Sequence, residues 1–328
     1  MTTILWFTIL ISFLATLIIT PHWIRRAHAE GLKGKDMHKL DKRDVAEAGG
    51  IGVLAGFVIG VFVYIAIKTF IYHDSSQLIE VFALLGVLFL ASMIGVVDDL
   101  LGWKRGLGKK VRIVLMLFAA IPLMVLNVGS SNILGLEIGL LFPLIVIPLG
   151  VIGATTTFNT LAGYNGLEAG QGILILGALS IVTFVTGNPW LSVIGLCMVG
   201  ALLAFYYYNK HPAKVFPGDM MTYSIGALIA CMAILGNVEK IALFFFIPYI
   251  LEAILKLRGR LKKESFAKVN LDGSLDMPYD KIYGLEHVAI WILKRVKPSG
   301  KVREKDVTNL IHGFMVILII LGFLIFYT

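Results

Sequence analysis

The segment LIEVFALLGVLFLASMIGVVDD, residues 78–99, decides the class of fold. It carries no charged residue between Glu80 and Asp98, and a helix needs about 20 mostly apolar residues to cross a bilayer. The run is too continuous for a barrel strand, in which apolar and polar residues alternate. We therefore predict a membrane-spanning helix that ends in two adjacent carboxylates, Asp98 and Asp99.

The composition extends this prediction to the whole chain. Hydrophobic residues occupy 58% of the 328 positions and charged residues 15%, whereas a soluble domain carries about 25% charged residues. The predicted fold is an all-α polytopic membrane protein, a single membrane-embedded domain over residues 1–328. Ten segments are predicted to span the bilayer: 3–22, 50–71, 78–97, 111–129, 137–158, 171–187, 190–208, 220–236, 241–257 and 307–327.

The basic residues predict which loops face the cytoplasm. The loops near 23–49, 98–112, 159–170, 209–219 and 256–306 fall on one side and hold 27 of the 29 Lys and Arg residues. Because cytoplasmic loops of membrane proteins are enriched in these residues, we expect these loops inside and both termini outside. The enrichment of Lys and Arg in these loops accounts for the net charge of +8, so no nucleic-acid partner is expected.

The last of these loops, residues 258–306, is predicted to hold structure of its own. Asp272 and Gly273 separate two short alternating runs, a pattern typical of a β-hairpin. Apolar residues then recur at helical spacing from Leu285 to Val296. Basic residues follow, which predicts an amphipathic helix at the membrane surface.

The first chemical motif is the Asp98-Asp99 pair, followed by Lys109. Acids are unfavourable at a helix C-terminus, and adjacent like charges add to the cost unless a cation lies close. Because successive helical residues point about 100° apart, the two carboxylates are predicted to have different partners. A hydrated loop start beside Lys residues is the structural alternative.

The second motif is FNTLAGYNGLEAGQG, residues 158–172, which has four glycines and no Lys or Arg. Glycines let the backbone approach a ligand closely, and Asn side chains offer neutral oxygen ligands for a hard cation. An ordinary Asn-Gly turn between two spans is the alternative interpretation.

The third motif, NKHPAKVFPGD at residues 209–219, opens a predicted helix. Asp219 is a good N-cap, which is the structural interpretation. A helix N-terminus also binds anions, and Asp219 is suited to hold a divalent ion against such a bound anion. The fourth motif is the basic run from Lys256 to Lys268, which is either ordinary positive-inside charge or phosphate recognition. Acidic, amide and basic groups on one membrane face are what phosphoryl transfer needs.

These motifs resemble those of the polyprenyl-phosphate N-acetylhexosamine-1-phosphate transferase superfamily. The resemblance is greatest to the archaeal and eukaryotic UDP-N-acetylglucosamine:dolichyl-phosphate enzymes of glycosyltransferase family 4. It rests on Asp98-Asp99 and on residues 159–171, 215–219 and 36–39. It implies transfer of N-acetylglucosamine-1-phosphate, or a related N-acetylhexosamine-1-phosphate, from a UDP-sugar to dolichyl or polyprenyl phosphate. UMP would be released, in the first step of lipid-linked oligosaccharide (N-glycan) assembly.

The resemblance also implies roles for individual residues. Asn165 and Asp219 would hold Mg²⁺, with Mn²⁺ as a substitute. Asp98 or Asp99 would activate or orient the lipid phosphate, and Lys109 would contact phosphate. The other expected substrate-binding residues are Lys39, Asn159, Gly166, Leu167, Glu168, Gln171, His211 and Lys268.

Two departures from the family pattern leave the last-loop contacts open. Gly102 stands where eukaryotic relatives have Asn, and residues 263–268 replace a His/Arg-rich element. A bacterial-type undecaprenyl-phosphate transferase for cell-envelope polymers is the alternative enzyme. A transporter is the remote alternative. Transporters usually place charged residues near the bilayer midplane, whereas the predicted spans are apolar through their centres. We expect a plasma-membrane protein in a prokaryote, or an endoplasmic-reticulum protein in a eukaryote, with a homodimer as one option for its oligomeric state.

Overall fold

The computed structural model describes residues 3–102, 106–126, 132–133 and 136–327. Residues 103–105 of the paired-Asp motif, and most of the predicted outer loop 130–136, lie outside the described residues. Within the described part the chain is mostly helical. Its helices are α1 Thr3–Ala29, α2 Gly50–Ala66, α3 Leu78–Leu101, α4 Lys109–Met124, α5 Ile147–Phe158, α6 Leu167–Val185, α7 Pro189–Asn209, α8 Gly218–Leu235, α9 Glu239–Phe245, α10 Ile247–Arg258, α11 Leu285–Val296 and α12 Glu304–Tyr327.

Three short antiparallel strand pairs lie between the helices. They are β1 Lys33–Lys35 with β2 Asp44–Ala46, β3 Asn132–Ile133 with β4 Leu136–Glu137, and β5 Lys268–Val269 with β6 Leu275–Asp276. Gly273, with φ +76°, lies in the turn that joins β5 to β6. The last cytoplasmic loop of the prediction therefore contains a hairpin, and α11 follows it.

Seven helical segments of the described chain are long and apolar enough to cross a membrane. The other three predicted spans coincide with shorter pieces: α4, the π turn Phe142–Val146 with α5, and the pair α9 and α10. Proline interrupts or shortens these pieces, since Pro lacks the N–H that continues the helix. The seven long segments are Trp6–Ala29, Gly50–Ile71, Leu78–Leu101, Leu167–Val185, Pro189–Asn209, Gly218–Leu235 and Glu304–Tyr327.

Helix α8 lies at the centre of the bundle, where every residue from Met220 to Ile234 is buried. Two glycines let neighbouring helices approach its backbone. A Cβ on Gly95 of α3 would lie 2.5 Å from the Met220 Cα, and a Cβ on Gly226 would lie 2.6 Å from the Thr155 Cα of α5. The Gly95 contact brings the end of α3, with its two carboxylates, against the start of α8.

We expect Gly95→Val to lower both the melting temperature and the catalytic activity. The larger side chain must separate α3 from α8, and overpacking of a helix interface costs about 1–3 kcal/mol. Thermal unfolding in detergent measures the effect. Gly177→Val in α6 is the matched control, because nothing lies within 4 Å of a Cβ placed there. Equal melting temperatures for the two variants would contradict the close approach.

The segment before α2 is held to the segment before α8 by backbone hydrogen bonds. The Phe216 N–H donates to the Ala46 carbonyl at 2.7 Å, and the Gly49 N–H donates to the Phe216 carbonyl at 2.9 Å. This pairing places Glu47 beside the N-terminus of α8, next to the motif that contains Asp219.

Candidate active site

Two adjoining cavities of about 420 and 470 Å³ open among the helix ends that carry the sequence motifs. Both volumes fall within the range of ligand pockets, roughly 300–1,000 Å³. The first cavity lies against β1, the 159–168 loop and Phe266, and the second lies between α3 and α4. The described residues that line both are Glu47, Asp99, Gly102, Asn159, Phe216, Gly218 and Asp219.

Asp99 caps the N-terminus of α8. Its Oδ1 accepts the Asp219 N–H at 2.7 Å, and its Oδ2 accepts the Met220 N–H at 3.2 Å. These are two of the four N–H groups that a helix start leaves without an intrahelical partner. A Cβ on Gly218 would lie 2.4 Å from the Asp99 Oδ2, so a side chain there would displace the carboxylate. Asp99 thereby sets the position of Asp219.

Asp98 has a different set of partners, as the helical geometry predicted. Its Oδ2 lies 2.7 Å from Arg112 Nη2 and accepts the Tyr223 hydroxyl at 3.1 Å, while its Oδ1 accepts the Leu107 N–H. The buried carboxylate is thus paired and hydrogen-bonded, which is the condition for keeping a charge away from water. Asp98 fixes the start of α4, including Arg112, against α3 and α8.

Asn159 lies next to Asp219. The Thr222 hydroxyl donates to the Asn159 Oδ1 at 2.9 Å and is also 3.1 Å from the Asp219 carbonyl. Asn159 and Asp219 line both cavities. Asn159, the residue that follows α5, therefore places its side-chain amide beside the Asp219 carboxylate at the start of α8, with its Oδ1 held by Thr222.

The donor set where the cavities meet fits a divalent cation. The seven shared residues include three carboxylates and no Lys or Arg. Burial raises the pKa of Glu47, and the nearby Asp219 carboxylate raises that pKa further. The Asp219 Oδ2 accepts the Tyr223 hydroxyl at 3.2 Å and lies 3.9 Å from Arg112 Nη2, so part of its charge is already balanced. Carboxylate and amide oxygens are the ligands that Mg²⁺ takes in proteins.

Asn165 belongs to a separate cluster. Its side-chain amide donates to the Asp36 Oδ2 at 3.1 Å, and its backbone N–H donates to the Glu304 Oε1 at 2.8 Å. It lines the first cavity but not the second. The family resemblance implied that Asn165 and Asp219 hold the metal together, whereas the asparagine that lies beside Asp219 in the structure is Asn159. Both Asn residues belong to one motif, and only the turn between them decides which one reaches α8.

The other predicted site residues divide into those that line a cavity and those that do not. Glu168 and Lys109 line a cavity, and the Glu168 Oε1 also accepts the Gly163 N–H at 2.9 Å, which closes the loop. Leu167 is a core side chain, and its carbonyl accepts the His312 Nε2–H at 3.3 Å. The predicted residues that line neither cavity are Lys39, Gly166, Leu167, Gln171, His211 and Lys268.

The contacts that these residues make in the structure explain why they line neither cavity. Lys39 pairs with Glu304, and its Nζ lies 3.5 Å from the Asp36 Oδ2. His211 Nε2 lies 3.6 Å from the Glu304 Oε2. Gln171 is completely buried one turn inside α6, and Lys268 lies in the β5–β6 hairpin with its side chain exposed. These residues were predicted from their motifs, which report chain neighbours and not side-chain direction.

Several site residues were missed by the sequence analysis. Arg112 and Tyr223 hold Asp98, Thr222 holds Asn159, and Glu47 lines both cavities. Arg112 gave no distinct signal, since Lys and Arg are common at the ends of membrane spans. Tyr223 and Thr222 look like ordinary helix residues in the sequence.

The fold is that of a polytopic membrane protein in which two cavities meet where helix ends converge. Residues 81–237 match the family model described as Glycosyl transferase family 4. A protein of Saccharolobus solfataricus, provisionally named UDP-N-acetylglucosamine–dolichyl-phosphate N-acetylglucosaminephosphotransferase, is 36% identical over 95% of each chain. A Sulfolobus acidocaldarius protein of the same name is 32% identical over 96% of this chain and 94% of its own.

The similarity also extends to bacterial proteins. The phospho-N-acetylmuramoyl-pentapeptide-transferase of Streptococcus thermophilus is 29% identical over 74% of this chain and 75% of its own. The match to the archaeal relatives covers nearly the whole chain, which includes all four motifs. The chain belongs to glycosyl transferase family 4.

Proposed function

We propose that this protein transfers N-acetylglucosamine-1-phosphate from UDP-N-acetylglucosamine to dolichyl phosphate or a related polyprenyl phosphate. The observation that carries the proposal is the pair of cavities that meet at Asp99, Asn159 and Asp219. A transferase with two phosphate-bearing substrates needs two pockets that share one reaction centre. The names of the archaeal relatives support the choice of sugar and lipid.

The surroundings of each cavity support a substrate assignment. The second cavity contains Lys109 and Arg112, and α4 presents exposed apolar side chains such as Val114 and Phe118 beside it. An anionic headgroup attached to a hydrocarbon tail fits this arrangement. The first cavity is lined by Lys33, Lys35 and the glycine-containing 159–168 loop, which suits the nucleotide sugar.

Asp219 and Asn159 are the residues that would hold Mg²⁺, or Mn²⁺ in its place. The bound ion would neutralise charge on the diphosphate, which phosphoryl transfer requires. Asp99 would act through Asp219, because both Asp99 oxygens accept N–H groups of the helix start. Arg112, held by Asp98, would stabilise charge on the incoming phosphate.

The reaction needs no strong base. An oxygen of the lipid phosphate attacks the β-phosphorus of the UDP-sugar. The new P–O bond forms as the bond from the β-phosphorus to the bridging oxygen breaks, and UMP leaves. A phosphate monoester is already mostly ionised at pH 7, since its second pKa is about 6. We therefore assign Asp98 and Asp99 positioning roles and no proton abstraction.

We also propose the ten-span topology with both termini on the side opposite the site. The C-terminal ends of α1, α3, α5, α7 and α10 and the N-terminal ends of α2, α4, α6, α8 and α12 lie toward the site. This alternation fits ten crossings in which the shorter helices also span. The concentration of Lys and Arg on the site side supports a cytoplasmic active site.

The proposal is tested with purified protein, a panel of labelled UDP-sugars and polyprenyl phosphates. We expect UMP release with UDP-N-acetylglucosamine and dolichyl phosphate, loss of activity in EDTA, and recovery with Mg²⁺. A preference for UDP-N-acetylmuramoyl-pentapeptide and undecaprenyl phosphate would favour the bacterial-type reaction. Absence of UMP release with every pair would overturn the proposal.

A further inference from the structure

A buried cluster of charged residues lies behind the first cavity and is not part of the reaction centre. Glu304, in the first turn of α12, is 4% exposed and lines neither cavity. Its carboxylate contacts three other parts of the chain. Oε1 accepts the Asn165 N–H at 2.8 Å and lies 3.7 Å from His38 Nδ1, while Oε2 contacts Lys39 Nζ and lies 3.6 Å from His211 Nε2.

The cluster already contains its own cations. Asp36, His38 and Glu304 have ligand atoms close enough together to hold a metal ion. The Lys39 ammonium, however, pairs with both Glu304 and Asp36, and Arg43 lies 3.7 Å from the Asp36 Oδ2. Two carboxylates and two basic side chains balance in charge, which is how buried charges are kept stable. The arrangement favours an internal ion-pair network over a metal site.

The network reaches the first cavity through Asp36, Asn165 and His38. Asp36 and Asn165 line the first cavity, and the two are joined by a hydrogen bond of 3.1 Å. His38 Nε2 accepts the Ala267 N–H at 3.2 Å. Phe266, next to Ala267, also lines the first cavity, 3.0 Å from where a Cβ on Gly163 would lie. None of these groups lines the second cavity.

We propose that Glu304 is a positioning residue for the nucleotide-sugar substrate alone. It holds residues 36–39, Asn165 and the 266–267 segment as one wall of the first cavity, with Lys39 as its ion-pair partner. This role rests on the proposed function, because it assigns the first cavity to the UDP-sugar. It also reassigns Lys39, which the sequence motif had suggested as a direct substrate contact.

The first test compares Glu304→Gln with Asp306→Asn. Asp306 lies in the same helical turn and pairs with Lys297 at 2.6 Å, away from the cavities. Loss of a charge-assisted bond weakens recognition about tenfold or more. We expect Glu304→Gln to raise the KM for the UDP-sugar by that factor, with the KM for the lipid and kcat within about threefold. Asp306→Asn should leave all three constants unchanged. Equal effects of Glu304→Gln on both KM values, or an effect on kcat alone, would overturn the inference.

The second test is a double-mutant cycle with Lys39→Met. If Lys39 acts through Glu304, the double variant should lose little more UDP-sugar affinity than either single variant. If Lys39 contacts substrate directly, the losses should multiply, and the inference fails. Should Glu304→Gln not fold, Lys39→Met tests the ion-pair partner alone, and an unchanged KM for the UDP-sugar overturns the inference.

Direct binding of UDP separates the inference from the proposed function. Titration of UDP and Mg²⁺ into the detergent-solubilised protein requires no turnover. Binding of UDP by the wild type and weaker binding by Glu304→Gln would support both the proposed function and the role of Glu304. Equal binding would overturn only the role of Glu304. Absence of UDP binding by the wild type would overturn the proposed function together with the inference.

Discussion

Replacing Asp219 by Ala is expected to lower the rate of UMP release about a hundred- to a thousandfold, the order of effect seen when charge stabilisation of a transition state is removed. Asp219 is the carboxylate at the start of α8 that the two cavities share. Without it, Asn159 would be left as a neutral ligand, and Mg²⁺ would bind far more weakly. The measurement is UMP release against Mg²⁺ concentration.

The matched control for Asp219→Ala is Asp272→Ala. Asp272 lies in the turn of the β5–β6 hairpin and pairs with Lys301, with its side chain exposed. An exposed ion pair contributes little to stability, so this variant should keep the wild-type rate. If Asp219→Ala retained wild-type turnover and Mg²⁺ dependence, the cation assignment would be wrong.

The two asparagines of the 158–172 motif distinguish the sequence interpretation from the structural one. Asn159→Ala is expected to raise the Mg²⁺ concentration needed for half-maximal rate, because Asn159 lies beside Asp219. Asn165→Ala is expected to raise the KM for the UDP-sugar without changing the Mg²⁺ requirement, because its partners are Asp36 and Glu304. The reverse pattern would return the metal-ligand role to Asn165.

The second large effect is expected for Asp99→Asn. This variant should lower kcat about a hundredfold, while the KM for the UDP-sugar changes less than threefold. Misplacement of a catalytic group by about 1 Å has effects of this order. An aspartate accepts both the Asp219 and the Met220 N–H groups. Asparagine has one acceptor oxygen, and its NH₂ group would face the second donor. The start of α8 must then shift, and Asp219 moves with it.

Ser92→Ala provides the control for this substitution. The Ser92 and Ser224 hydroxyls lie 2.7 Å apart across the same contact between α3 and α8, deeper in the bundle. Removing that bond tests whether any weakening of the helix contact slows the reaction. We expect kcat within about twofold of the wild type, since one neutral hydrogen bond contributes only about 1 kcal/mol. Equal losses in kcat for Ser92→Ala and Asp99→Asn would refute the special role of the cap.

The polar motifs were detectable in the sequence because each interrupts an apolar pattern. Asp98-Asp99 ends a long hydrophobic run, and Asp219 follows a turn before another such run. Both lie in the described cavities. Arg112, Tyr223 and Glu304 were missed or left without a role, because a single polar residue at a helix start has many structural explanations. Their importance lies in partners more than ten residues away in the chain.

The sequence by itself determined the membrane class, the spacing of the apolar segments and the side on which the basic loops collect. Those properties depend on local hydrophobicity and on charge, which each segment carries independently of its neighbours. Only the tertiary structure decided that Asn159 lies beside Asp219, that Asp99 caps α8 and that Lys39 pairs with Glu304. These contacts depend on how helices distant in sequence cross, and the absence of a side chain at Gly95 sets the crossing that brings α3 onto α8.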